Sequence, residues 1–71
     1  MKLLIQGQII NFDNVAHVYP KDEIHKEESK FRVYMHFQSG ARTYFKFETD
    51  ERRQIFIDEI ADLWGVKVYS I

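Results

Sequence analysis

The chain has 71 residues, a formal charge of −1 and no cysteine. Its length leaves room for one small domain over 1–71, disulfides and thiolate metal sites are ruled out, and the near-neutral charge lacks the basic footprint of a duplex-DNA binder. Apolar residues make up 45% and aromatic residues 15%, a supply that argues against disorder.

The opening Met1-Lys2-Leu3-Leu4-Ile5 runs at once into Gln6-Gly7-Gln8, too short a stretch for a secretory leader. No apolar run approaches the roughly 20 residues that cross a bilayer. With the absence of cysteine, which fits a reducing compartment, the expectation is a cytoplasmic protein with no membrane partner.

Leu3-Leu4-Ile5 and Ile9-Ile10 flank a central Gly, so the first element predicted is a tight β-hairpin. Phe12-Asp13-Asn14 reads as a turn, because Asp and Asn side chains bond their own backbone. An extended pattern resumes from Val15 to Tyr19, and Pro20, unable to donate to a ladder, is expected to close it. Lys21 to Ser29 reads as a solvated loop in which one helical turn is possible, with Ile24 pinning it to the body.

The two runs that follow dominate the chain. Lys30-Phe31-Arg32-Val33-Tyr34-Met35-His36-Phe37 and Ala41-Arg42-Thr43-Tyr44-Phe45-Lys46-Phe47-Glu48 each alternate apolar with basic or aromatic side chains, the signature of strands with one face buried and one wet. A two-residue Ser-Gly turn would set Phe37 opposite Arg42 and mix the faces. Two three-residue loops restore the parity. Ser39-Gly40-Ala41 sets Tyr34 opposite Lys46 and Arg32 opposite Glu48. Gln38-Ser39-Gly40 sets Tyr34 opposite Tyr44 and puts Gly40 at the left-handed position, the harder constraint to meet otherwise, and so is favoured.

A helix is expected after Thr49, a good N-cap, with Asp50 and Glu51 at the positive end of its dipole. At 100° per residue, Phe56, Ile57, Ile60, Leu63 and Trp64 share one side. Ile55 points away from that stripe. Gly65 sits where a C-cap belongs. Val66-Lys67-Val68-Tyr69-Ser70-Ile71 alternates again and reads as a short final strand returning to the sheet edge, or a tail over it. The expected fold is α+β: an antiparallel β-meander packed on one C-terminal α-helix, with a short final strand. The helix stripe should cover Phe31, Val33, Met35, Phe37, Phe45 and Phe47.

Catalytic chemistry is hard to assemble from this chain. Ser29, Ser39 and Ser70 fall in a charged loop, a hairpin tip and the tail, with no elbow to activate a nucleophile. Gly7, Gly40 and Gly65 are too scattered for a phosphate loop. His17, His25 and His36, with Asp22 and Glu23, show no metal-ligand spacing. The expectation is a protein that is not an enzyme, with no catalytic residues, no cofactor and no metal.

The outer sheet face is the unusual surface. Arg32, Tyr34 and His36 on one strand and Arg42, Tyr44 and Lys46 on the next make a patch of cations and rings. Tyr and Arg anchor protein interfaces, whereas aromatics with basic side chains also suit single-stranded nucleic acid. An ordinary wet strand face is the bland alternative. Ile55 and Ile71 add an apolar edge that a second copy could cover. The chain therefore reads as a small interaction module that binds a protein partner or itself. Single-stranded nucleic-acid binding is the alternative, made less favourable by the negative net charge.

Ile9-Ile10-Asn11-Phe12-Asp13-Asn14-Val15 carries an architectural likeness. With the hairpin before it and the charged loop, central hairpin and acidic-capped helix after it, it resembles small uncharacterised sheet-plus-helix proteins of Gram-positive bacteria and their phages, which implies that kind of origin. The order of sheet then helix is also similar to a dimeric single-strand DNA-binding fold of the positive-cofactor type. The acidic balance and the extra final strand depart from that pattern.

Overall fold

The computed structural model describes residues 1–23 and 30–66. The stretch holding Ile24 and His25, and residues 67–71 of the expected final strand, with Ile71, lie outside the described residues.

Leu3-Leu4-Ile5 and Ile9-Ile10 pair as expected. Strand β1 (Lys2–Ile5) and β2 (Gln8–Asn11) form an antiparallel hairpin with Leu3 opposite Ile10 and Leu4 opposite Ile9. Its two-residue turn takes positive φ at both Gln6 (47°) and Gly7 (82°), as a type I′ turn requires. Gln6 is not a residue that favours this region, and its amide donates to the Lys46 carbonyl at 2.6 Å. Phe12-Asp13-Asn14 is a turn as expected, in the form of a single 3₁₀ turn capped by the Asn11 side chain, which accepts from the Asp13 N–H. This turn drives Phe12 into the interior, where it is 3% exposed and stacks on Trp64 with centroids 4.8 Å apart.

Three longer strands follow: β3 (Val15–Asp22), β4 (Phe31–Phe37) and β5 (Arg42–Phe47), antiparallel in the order β3-β4-β5. Pro20 does not end β3; the strand runs through it to Asp22, with Pro20 opposite Val33. The reason is position: among the described residues β3 pairs with β4 alone, so a missing N–H can face away from its partner. Lys21 and Asp22 are thus strand residues, not loop. An irregularity between Val15 and His17 shifts the register there; such a bulge twists an edge away from stray partners. On the other side, the Gln6 amide and the Gln8–Thr43 contact of 3.3 Å bring the first hairpin against β5.

The central hairpin turns through Gln38-Ser39-Gly40. Phe37 N–H donates to the Ala41 carbonyl, Tyr34 lies opposite Tyr44, and Gly40 has φ 93°. The glycine-based register is the one adopted. The odd-numbered side chains of β4 and β5 accordingly face inward.

Helix α1 (Asp50–Trp64) covers that inner face. Thr49 Oγ1 accepts from Arg52 N–H at 3.1 Å. At the other end Gly65, with φ 66°, lets its own N–H reach Asp62 and Val66 N–H reach Ala61, the hydrogen bonds of a Schellman cap. The core joins Ile10, Phe12, Val15, Met35, Phe45 and Ile60, while Phe56 packs against the rings of Phe45 and Phe47. Val33 and Met35 are fully excluded from water. Arg53 ties the layers together at the helix start, donating to Asp22 on β3 at 2.6 Å and to Asp50 at 2.7 Å. The described residues thus form an antiparallel sheet and hairpin packed on one C-terminal helix, the expected α+β arrangement.

The helix stripe is shorter than its periodicity suggests. Ile60 is buried, but Leu63 and Trp64 remain 45% and 38% exposed. Trp64 has the Phe12 ring on one face. Among the described residues, no helix is long and apolar enough to cross a membrane.

Candidate functional site

One face of the β3-β4-β5 sheet is covered by α1; the opposite face carries the unusual chemistry. Cross-strand register sorts its side chains into three rows. His17, His36 and Arg42 form the first; Tyr19, Tyr34 and Tyr44 the second; Lys21, Arg32 and Lys46 the third. Strand pairing causes this order, because directly opposed residues share a face. All six expected residues, Arg32, Tyr34, His36, Arg42, Tyr44 and Lys46, fall on this face together.

Strand β3 adds His17, Tyr19 and Lys21, which the sequence reading did not include. Their signal was present: His17, Tyr19 and Lys21 keep the period of two straight through Pro20. Reading Pro20 as a terminator hid it.

Strands lie about 4.8 Å apart, so rings in one row meet face to face. Tyr19 and Tyr34 stack at 5.6 Å and 9°, and Tyr34 and Tyr44 meet at 5.5 Å and 34°. His17 and His36 stack at 4.5 Å. The rows are stitched to one another as well. Tyr19 hydroxyl and His36 Nε2 share a hydrogen bond of 3.0 Å. The Arg32 guanidinium sits 4.4 Å from the Tyr44 ring centroid, and Lys21 Nζ lies 5.6 Å from that of Tyr34, both within cation–π range.

Arg32 departs from the expectation of a cation held out to water. It is 6% exposed, roofed by its neighbours in the tyrosine row. Burial disfavours its charge, but the Tyr34 hydrogen bond and the Tyr44, Tyr34 and Glu23 groups outweigh that and raise its pKa. Lys46 is half-buried. Arg42 and Tyr44 are the exposed members of the expected set.

Glu23 completes the face at the end of β3. Tyr34 hydroxyl donates to its Oε1 at 2.8 Å and Lys21 Nζ stands 3.5 Å away. The Tyr34 bond is the main influence that holds this carboxyl below its usual pKa; burial opposes it, and Lys21 and Arg32 reinforce it. His36 is also held below the ordinary imidazole value, by burial first and then by the neighbouring His17 and Arg42.

Charge is divided between the two layers. The outer sheet face carries Lys21, Arg32, Arg42 and Lys46, whereas α1 carries Asp50, Glu51, Asp58, Glu59 and Asp62 against Arg52 and Arg53. A net charge of −1 therefore conceals a cationic sheet and an acidic helix.

Other surfaces are plainer. Ile55 is 58% exposed on the helix, and Leu4 and Ile9, opposed on the first hairpin, are 73% and 74% exposed. An apolar groove of about 540 Å³ between β3 and α1 is lined by Val15, Val18, Ile57, Ile60 and Trp64, with His17 its one ionisable side chain among the described residues. Among the described residues, no three His, Cys, Asp or Glu side chains gather as a metal site would need. Compared with family models, curated proteins and solved structures, the chain matches none.

Proposed function

We propose that the protein is a small cytoplasmic, non-enzymatic interaction module of bacterial or phage origin, and that it binds a protein partner through the outer face of β3-β4-β5. The observation that carries this reading is the His/Tyr/cation array on the sheet face opposite α1. Tyr and Arg are the side chains most often found at the energetic centre of protein interfaces. Their mutual stacking also pre-pays ordering entropy, since rings already locked lose little on binding. A second copy presenting this same face would set four cations against their counterparts, so like-charge repulsion turns self-association toward other surfaces, with Ile55 or the Leu4/Ile9 pair as its contact.

The test is affinity capture from a nuclease-treated native lysate, with wild type, Tyr44→Ala and a control Ile55→Ser as baits of matched folding. Partner capture should fall for Tyr44→Ala and persist for Ile55→Ser. Equal capture by all three baits would remove the outer face from the account.

Single-stranded nucleic acid is the second reading, and the division of charge favours it, because five of the eleven acidic residues lie on the helix. Base stacking works against it at the centre of the row: an incoming base needs a free ring face, and Tyr34 lies between Tyr19 and Tyr44. A titration with a single-stranded oligonucleotide at low salt, repeated at higher salt, distinguishes the two. Micromolar binding that collapses with salt would favour nucleic acid.

A further inference from the structure

We infer that docking on the outer face is gated by a proton at the His17–His36 stack: a partner seats while His36 is neutral and is released when acid charges it. The inference rests on the outer face being the docking surface and adds how that surface is regulated.

Strand register builds the gate. His17 of β3 lies opposite His36 of β4, and His36 lies opposite Arg42 of β5. The two imidazole rings stack with centroids 4.5 Å apart and 24° between their planes. His36 Nε2 shares a hydrogen bond of 3.0 Å with the Tyr19 hydroxyl. His36 is half-buried, whereas His17 and Arg42 are exposed. The row is thus a stacked imidazole pair beside a fixed positive charge, open to whatever lies over it.

Every neighbour of His36 opposes a charge on it or is neutral. A proton on one ring of a close pair disfavours a proton on the other, and Arg42 adds its own repulsion. Tyr19 and Tyr34, the flanking titratable groups, are neutral in mild acid. The groove beside His17 is lined from α1 by Ile57, Ile60, Ala61 and Trp64, all uncharged. Among the described residues no carboxylate acts on His36. Protonation also constrains the hydrogen bond: an imidazolium Nε2 can only donate, so the Tyr19 hydroxyl must accept and point its own proton elsewhere.

A partner laid over this row removes the water that a charged His36 and that hydroxyl proton need. In the free chain burial, then His17 and Arg42, already hold the His36 pKa below the ordinary value of about 6.5. Docking withdraws more water and lowers it again. Affinity is therefore full above the free value and falls as pH drops through it toward the docked one. Glu23, the acid of this face, is itself held below its usual value and stays ionised over that range.

Two measurements on the full chain test this. Ring NMR shifts of His36 in the free protein, followed from about pH 8 to pH 5, should give a midpoint that rises when His17→Gln removes the stacked partner. A midpoint that does not move would overturn the inference. Partner capture is then compared at about pH 7.5 and pH 5.5 for wild type and His36→Gln, with circular dichroism checking that both baits stay folded. Taking each bait's ratio between the two conditions cancels titration of the partner itself. The wild-type loss in acid should exceed that of His36→Gln by about tenfold, the effect of one pKa unit between free and docked states. Equal losses, or tighter wild-type docking in acid as an anionic ligand would show, would overturn it. If Tyr44→Ala still loses the partner while the two ratios match, the gate falls and the docking surface stands. If Tyr44→Ala loses nothing, both fall.

Discussion

The two faces of one sheet are held together by different physics. On the inner face Val33, Met35 and Phe45 are at most 1% exposed, and Met35 and Phe45 pack in one core with Ile60 of α1. On the outer face the side chains are half-wet and satisfied by each other, ring on ring and cation on ring. Both faces come from the same alternating residues of the same strands. Burial makes the inner face the source of stability. Mutual stacking makes the outer face ordered yet accessible, which is what a recognition surface requires.

That contrast can be broken by substitutions of graded effect. Met35→Ala should cost about 2–5 kcal/mol, since the cavity would lie between sheet and helix where little can collapse into it; chemical denaturation measures it. Thr49→Ala removes the helix N-cap and should cost about 1 kcal/mol in the same assay. Ile55→Ser, at a side chain 58% exposed on the helix, should shift stability by less than about 0.5 kcal/mol.

Acid sharpens the comparison, because the titrating groups belong to the outer face. His36 has a lowered pKa when folded, so the unfolded chain takes up its proton first as pH falls. Stability is therefore complete above the ordinary imidazole value of about 6.5 and declines as pH drops below it toward the folded value. His36→Gln should flatten the melting temperature between about pH 7 and pH 5. Glu23 is depressed as well. Its contribution is present above the ordinary carboxyl value of about 4.3 and is lost as pH falls through the folded one. Tyr34→Phe, which deletes the hydroxyl donor, should remove that acid-side loss. A profile unchanged by either substitution would mean the outer network does not couple to folding.

Much of this division was legible in residues 30–48. Alternation alone assigns Val33, Met35 and Phe45 to the core, and a positive φ suits Gly40, which selects the loop and places Tyr34 beside Tyr44. The α1 caps at Thr49 and Gly65 are equally local. What local patterns could not convey were effects of neighbours distant in sequence. Pro20 can be crossed because β3 is an outer strand among the described residues, a property of sheet order rather than of residues 15–22. The irregularity between Val15 and His17 resets which side chains share a row. Arg32 is 6% exposed with the Tyr44 ring of β5 over its guanidinium, a contact set by strand pairing. Phe12 and Trp64, at opposite ends of the described fold, stack only after the 3₁₀ turn and the last helical turn are both in place.

Tyr44 and Phe45 are adjacent, similar in size, and assigned to opposite faces, so they give the most direct test. Thermal and denaturant unfolding of Tyr44→Ala and Phe45→Ala should differ sharply: about 3–5 kcal/mol lost at Phe45, and under about 1.5 kcal/mol at Tyr44, whose exposed ring contributes its contacts with Tyr34 and Arg32. Equal losses, or the larger loss at Tyr44, would contradict the assignment of one face to the core and the other to recognition.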